Sequence, residues 1–381
     1  MDSYLNKHNQ HEVMLGRLAT HLLNEYSYPS LESAYKSARL ILLDSEEITS
    51  MAKLNKITAK VATDVSSIIN DSWDKITPEL NETAVYEASY YQSMFSATNA
   101  VELAAVTDKK VINAVSNALM TLHSGNQVKS DVWSNYTKKN TASVVDTFNA
   151  QIKAGYSNDE TLSQIVKRLK TVSGGILKND AEALVRTGMS HYAARSREAL
   201  MQANKDLVPN KYFNSVFDNR RTLICAGYAE NPVYATDDPK APVFPIHFNC
   251  RSNWLYLTKG QTEPQGTRSA VGGKKSDEAE ENYNKRKSAL DKRRNNENIT
   301  GKTSSKVKYR GRKDSETFKA GQIKGSTSSD AWLRSQPRWF IESNMGKKRA
   351  QMFIDGGVSI DRFTDLTGRV LRLDELKAMG I

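Results

Sequence analysis

The chain has 381 residues and carries 54 Lys plus Arg against 43 Asp plus Glu, a formal net charge of +11. A chain of that length can bury a substantial core and is expected to hold about two or three domains. Its two cysteines exclude a disulfide-built fold and suit a reducing compartment, and neither a signal peptide nor an apolar run of roughly 20 residues stands out, so a soluble chain is expected.

Residues 1–170 read as a helical region, because apolar residues recur at spacings of three and four and strand-like alternation is scarce. Leu40, Leu43 and Ile48, followed by Met51, Leu54, Ile57, Val61, Val65 and Ile68, form a stripe that one helix face could bury. Pro78 and the "HSG" at His123 to Gly125 are the expected breaks. In "GYSNDETLSQIVKRLK" the spacing predicts a capping box between Ser157 and Glu160, with Leu162, Ile165, Val166 and Leu169 on one face of the following helix. After "SGG" at Ser173 to Gly175, a second helix is expected from Asp180 to about Asn204, carrying Arg186, Arg195 and Arg197.

Beyond Pro209 the texture changes to short alternating runs, and "KYFNSVFD" and "SNWLYLT" each read as a strand. Residues 171–258 are therefore expected to form a small module with short antiparallel strands, giving an α+β, mostly α, fold class. Residues 259–329 read as a basic low-complexity linker with a charged helix inside it. From Lys259 to Lys319 there are 17 basic and 9 acidic residues, a difference of +8, so most of the net charge sits there. Such a segment attracts polyanions through sequence-independent contacts. The candidate DNA-binding residues are Lys285, Arg286, Lys287, Lys292, Arg293, Arg294, Lys306, Lys308, Arg310, Arg312 and Lys313. The closing residues, 330–381, are expected to dock, since Trp332, Trp339, Phe340, Met352 and Phe353 are too many large apolar groups to leave in water.

No P-loop, dinucleotide glycine fingerprint, GxSxG elbow or HExxH occurs, so ATPase, dehydrogenase and hydrolase readings lose their usual support. What remains is "FDNRRTLIC" (217–225) and "PIHFNCRS" (245–252). Across a hairpin these would bring Cys225, His247 and Cys250 together, with Asp218, Arg220 and Arg251 at the rim. Two thiols and an imidazole suggest zinc, which wants four ligands in a structural site, or three and an open position in a catalytic one. Asp218, water and His191 are the candidates for the fourth.

The run "RTGMSHYAAR", then "FDNRRTLIC", then "PIHFNCRS" resembles the signature of the phage Mu F-like head morphogenesis family, the minor head proteins of tailed phages. Arg186, Thr187, Ala194 and Arg195 match its helix motif, Asp218, Arg220 and Cys225 its middle piece, and Pro245, His247, Cys250 and Arg251 its last. Thr222 and Ser252 stand where that family has its first and last cysteines, which argues against a tight zinc site; no metal or other cofactor is expected. The resemblance implies a minor capsid protein inside the virion near the portal, aiding head assembly, DNA packaging or DNA delivery. Its implied partners are the portal protein, double-stranded DNA without sequence preference, and the major capsid or scaffold protein, with no membrane. Asp218, Arg220 and Arg251 are then expected to hold a loop rather than catalyse, and no enzyme is expected. The alternatives are a metal-dependent nuclease or toxin-like enzyme on the same module, and a free sequence-independent DNA-binding protein.

Overall fold

The computed structural model describes residues 3–45, 47–124, 127–300, 314–365 and 367–381. It is α+β and mostly α: helices dominate, and the strands form small antiparallel pairings.

The N-terminal part contains α1 (Tyr4–Leu22), α2 (Tyr28–Leu43), α3 (Met51–Asn99) and α4 (Asp108–Asn117). One π-helical turn, Leu23–Ser27, joins α1 to α2 without a break. The expected stripe across Leu40 to Ile68 is two pieces: Leu40, Leu43 and Met51 are exposed, and burial starts afresh at Leu54. Ser50 opens α3 by accepting the Lys53 amide on its side chain. Leu54, Ile57, Val61, Val65, Ile69, Trp73, Ile76, Leu80, Ala84, Ala88, Tyr91 and Phe95 then face inward along its length. Pro78 does not break this helix. It sits inside α3, where a packed face outweighs one missing amide hydrogen bond.

The "HSG" site is not a helix break either. His123 and Ser124 are the last residues of β1 (Met120–Ser124), which pairs antiparallel with β2 (Gln127–Asp131), and Gly125 lies outside the described residues. The Tyr136 hydroxyl is 3.0 Å from the Met120 carbonyl and 3.2 Å from that of Lys129, so α5 (Trp133–Ser157) clamps both strands.

Ser157 is the last residue of α5, and the capping box belongs one step later, to Thr161 and Gln164 at the head of α6 (Leu162–Val172). Glu160 pairs instead with Arg168. Ile165 and Leu169 are buried, and Leu162 and Val166 pack at their edge. A second π turn, Ser173–Leu177, carries the chain through "SGG" into α7 (Lys178–Gln202).

The strands that follow are β3 (Asn210–Asn214), β4 (Val233–Ala235) and β5 (Asn253–Leu257), in the order β4-β3-β5, with the short α8 (Leu223–Tyr228) between β3 and β4. β3 and β5 are the two runs read as strands, paired from Asn210↔Leu257 to Asn214↔Asn253. α3 and α7 contribute to two cores at once. Their earlier or middle turns pack with α1, α2, α5 and α6, while Tyr91, Met94, Phe95, Leu200 and Met201 pack against Phe213, Trp254 and Tyr256 of the sheet.

A buried polar network fastens α1 to this junction. Arg197 of α7 pairs with Glu87 of α3 and, at 2.5 Å, with Glu12 of α1, while His11 meets Glu87 from the other side. His8 bridges Tyr91 at 3.1 Å and Asn253 of β5 at 2.8 Å, and Leu5 inserts among Tyr212, Leu255 and Leu257.

Residues 259–329, read from sequence as a flexible linker, contain β6 (Thr267–Gly273), α9 (Asp277–Thr300), the single turn α10 (Asp314–Thr317) and β7 (Phe318–Lys324). β6 and β7 pair in register from Thr267↔Lys324 to Gly273↔Phe318, and the Val271 amide donates to the Phe217 carbonyl at 2.7 Å. Backbone pairing on both sides of α9 overrides the low-complexity composition.

The closing residues form α11 (Ser329–Arg334), α12 (Arg338–Met345), α13 (Lys347–Ile354) and α14 (Leu373–Ala378). Trp332, Trp339, Phe340 and Phe353 are buried in one cluster with Phe217, Ala226 and Ala270, and Met352 packs at its edge. This region docks on the protein's own body. No helix among the described residues is long and apolar enough to cross a membrane.

Candidate functional site

Three elements build the site. The first is the loop after β3: Thr222 caps α8 by accepting the Cys225 amide on its hydroxyl, which places the Cys225 thiol on the first turn facing inward. The second is the loop before β5, carrying His247 and Cys250. In it Asn249 adopts φ 57°, a left-handed conformation that asparagine tolerates. The third is the middle of α7, whose Thr187 Oγ1 accepts the Asn249 amide at 3.0 Å. β1 adds a brace, since the His123 amide donates to the Ile246 carbonyl at 2.7 Å.

Sequence reasoning expects Cys225, His247 and Cys250 to meet, and the structure brings them together. The thiols are 3.9 Å apart, and His247 Nε2 lies 3.2 Å from Cys225 Sγ. One donor atom from each of the three residues falls within 4.8 Å of the others, and they are the one such group of metal donors among the described residues. His191 and Asp218 are not in the group. A tetrahedral zinc with bonds of about 2.3 Å sets its sulfur ligands about 3.8 Å apart, so the spacing fits a three-ligand site. Beside the three stand the neutral hydroxyls of Thr222, whose Oγ1 is 3.1 Å from His247 Nε2, and of Ser252, which meets the Cys225 thiol. Without a metal the same atoms form a closed hydrogen-bonded set. The contact with Cys250, reinforced by burial, pushes the Cys225 thiol well up. Burial opposes ionisation of Cys250, but Cys225 and His247 overcome it and bring that thiol well down. His247 is raised: desolvation lowers it, and Cys250 more than offsets this.

Asp218 and Arg251 form a two-bond pair at 2.6 and 2.8 Å. Burial would raise the Asp218 carboxyl, yet Arg251 holds it below the usual range. Asp218 Oδ1 also accepts the Arg220 amide at 2.9 Å, so the aspartate spans its own turn and the loop before β5. The Arg220 side chain is 75 % exposed and 3.9 Å from Asp218. Arg186 pairs with Glu182 and lines the mouth of the adjoining cleft. Arg195 lies apart from the cluster's hydrogen bonds, reaching Glu198 at 2.5 Å and the Leu119 carbonyl at 3.3 Å.

Of the candidate DNA-binding residues, Lys285, Arg286, Lys287 and Lys292 stand on α9. Lys285, Lys287 and Lys292 are exposed, and Lys285 is paired with Glu281. Arg293 and Arg294 lie on α9 with side chains outside the described set, and Lys306, Lys308, Arg310, Arg312 and Lys313 lie outside the described residues altogether. The helix is anchored at its start, where Ala279 is buried and Tyr283 packs on Trp339.

Two groups of residues are missed by sequence reasoning. The first is the network of His8, Glu12, Glu87 and Arg197; His8, His11 and Glu12 at i, i+3 and i+4 are its visible signal, one helix face carrying charge toward the core. The second is Arg221 and Arg268, both buried, for which the sequence offers no signal beyond the doubled "RR". No family model matches the chain, and neither a curated protein nor a solved structure matches it.

Proposed function

We propose that the chain is a minor head protein of a tailed bacteriophage, placed inside the capsid near the portal and acting in head assembly, DNA packaging or DNA delivery. It would do so by contacts with the portal protein and the major capsid or scaffold protein, and by sequence-independent contacts with double-stranded DNA. The observation that carries this reading is the convergence of the three sequence pieces that resemble the Mu F-like signature. Thr187 of the first holds the turn of the last through Asn249, Asp218 of the second grips Arg251 of the last, and Cys225 faces His247 and Cys250. In this reading the cluster is a rigid lock that fixes loop geometry, not a catalyst. The exposed lysines of α9 supply contacts to phosphate, which weaken with salt as counterions are released.

The test is co-expression of the full chain with the portal protein of the same phage, followed by pull-down and localisation in purified heads. Retention on the portal is the expected result. A folded chain that fails to bind portal and is missing from heads overturns the reading in favour of a free DNA-binding protein.

A further inference from the structure

Beside the cysteine and histidine cluster lie two buried arginines whose charge nothing in the described structure neutralises directly. Arg221 is 7 % exposed, with its guanidinium 4.6 Å from the ring centre of Phe217 and 5.4 Å from that of Trp332. It makes no side-chain hydrogen bond or ion pair among the described residues, and its Nη1 is buried without a partner. Arg268 is 4 % exposed and 4.1 Å from the Phe217 ring. It donates to the Thr327 carbonyl at 2.6 Å and to that of Ser215 at 3.5 Å, but its Nε has no partner and no carboxylate is within ion-pair distance. Burial pushes both down to about 10, and Arg268 opposes the charge on Arg221. The groups that offset this are Tyr212 for Arg268, and Cys225, Asp218 and Glu230 at longer range for Arg221. Ring faces stabilise a guanidinium but accept none of its directed N–H groups, and buried charges without acceptors are rare outside functional sites.

The space in front of these groups has a definite shape. A recess of about 20 Å³ is lined by Arg220, Arg221, Arg251, Thr222, His247 and Ser252. That is room for one water-sized atom. Its rim residues Ser215, Arg220, Thr222 and Arg251 also line a cleft of about 1230 Å³, on whose wall Arg186 and Arg268 stand.

We propose that the recess and the adjoining cleft bind a phosphate-type oxyanion, one oxygen seated in the recess and the remainder of the group in the cleft against Arg220 and Arg268. Guanidinium and hydroxyl donors approach this space from several directions. A tetrahedral group with three or four acceptor oxygens can meet more of them than a planar carboxylate can. The phosphate can be free or part of a nucleic-acid backbone, and the proposal stands on this geometry whether or not the chain is a head protein.

The experiment is thermal unfolding of the full chain near pH 7.5 at constant ionic strength, with sodium phosphate, a five-nucleotide thymidine oligomer or sodium acetate replacing chloride. The expected result is a saturable rise in midpoint with phosphate, with the oligomer, or with both, following mass action. A response to phosphate alone identifies a free-phosphate site, and a response to the oligomer alone or to both identifies a backbone site. Arg221→Gln should weaken the apparent affinity at least about tenfold, the scale of one lost charged hydrogen bond. Should that variant fail to fold, Arg220→Gln at the exposed rim should weaken it severalfold, and phosphorus NMR line broadening of phosphate by the native chain gives a second readout. No response beyond chloride, an equal response to acetate, or an unchanged response in both variants overturns the proposal.

Discussion

Thr187 Oγ1 accepts the backbone amide of Asn249 at 3.0 Å while its hydroxyl donates to the Ala183 carbonyl at 2.6 Å, so one side chain holds a helix and a loop in fixed relation. Thr187→Val keeps the shape and removes the acceptor, leaving the Asn249 amide unpaired. We expect a loss of about 1 to 3 kcal/mol in equilibrium urea unfolding, and recovery of most of it in Thr187→Ser.

Zinc content is predicted to be well below one per chain after mild purification, because the donor group holds three ligands and the group that meets His247 beside it is the neutral Thr222 hydroxyl. Thr222→Cys should raise it toward one per chain by supplying a third thiolate. Elemental analysis of the two proteins decides the matter: one tightly held zinc in the native chain, lost in Cys250→Ser, contradicts the prediction.

Acid should weaken the fold before the carboxylates titrate. Burial, helped by the Arg197 charge, lowers His8 to about 4, and Glu12, Asn253 and Glu87 offset only part of this; burial and Arg195 lower His191 to about 3. The unfolded chain takes up these protons near 6.5 and the folded chain does not, so stability is full above pH 6.5 and falls as the pH drops toward 4. The scale is roughly 3 kcal/mol for each histidine. His247 is raised instead, so its contribution is already complete below pH 6.5 and does not mask the slope. Urea midpoints measured between pH 6.5 and 4.5 should decline steadily; a flat profile would show that His8 and His191 are protonated in the folded state.

Trp332 packs edge-on against Phe217 at 4.9 Å between ring centres, and Arg221 lies over both rings. Trp332→Ala should cost about 3 to 5 kcal/mol, and a chain ending before Ser329 should expose Phe217 and Ala226 and aggregate. The proposed portal contact is therefore better probed with surface substitutions in the closing helices than by truncation. Soluble, cooperatively folding truncated protein would refute the dependence.

Removal of the charged insertion is a cleaner test of DNA contact. Gly273 and Phe318 are paired and Ala279 and Tyr283 pack in the closing cluster, so replacing residues 285–313 by a short linker removes the basic stretch while keeping the β6–β7 ladder and the anchored start of α9. Affinity for double-stranded DNA should fall, and the slope of log affinity against log salt should shrink by a few units. An unchanged slope assigns the charge to solubility alone.

What the sequence makes legible is what neighbouring residues decide. The Asp180 helix, the strands at Lys211 and Trp254 and the meeting of Cys225, His247 and Cys250 follow from periodicity, β-rich runs and motif spacing, and all appear. Illegible is what distant partners decide. The Pro78 helix survives because of its packed face, β1 and β2 exist because Tyr136 and Ile246 hold them, and β6 finds β7 across some fifty positions. The capping box is misplaced by four residues because Ser157 and Thr161 offer the same local signal, and the competition is settled by how far α5 extends. Arg221 and Arg268 carry no local pattern at all, since their common feature is the Phe217 ring between segments far apart in sequence.

His8 and Asn253 are hydrogen-bonded across 245 positions, and Leu5 depends on Leu255 and Leu257 for its cover. On a ribosome adding about 5 to 20 residues per second, roughly 12 to 50 s separate the emergence of α1 from that of its partners on β5. During that interval Tyr4 and His8 have only Tyr91 and Phe95 of α3 to pack on and Leu5 lacks its cover, so α1, though made well before the sheet, is among the last elements to lock. The contacts of Tyr4 and His8 with α3 are the ones available to hold this end until the sheet arrives to receive it.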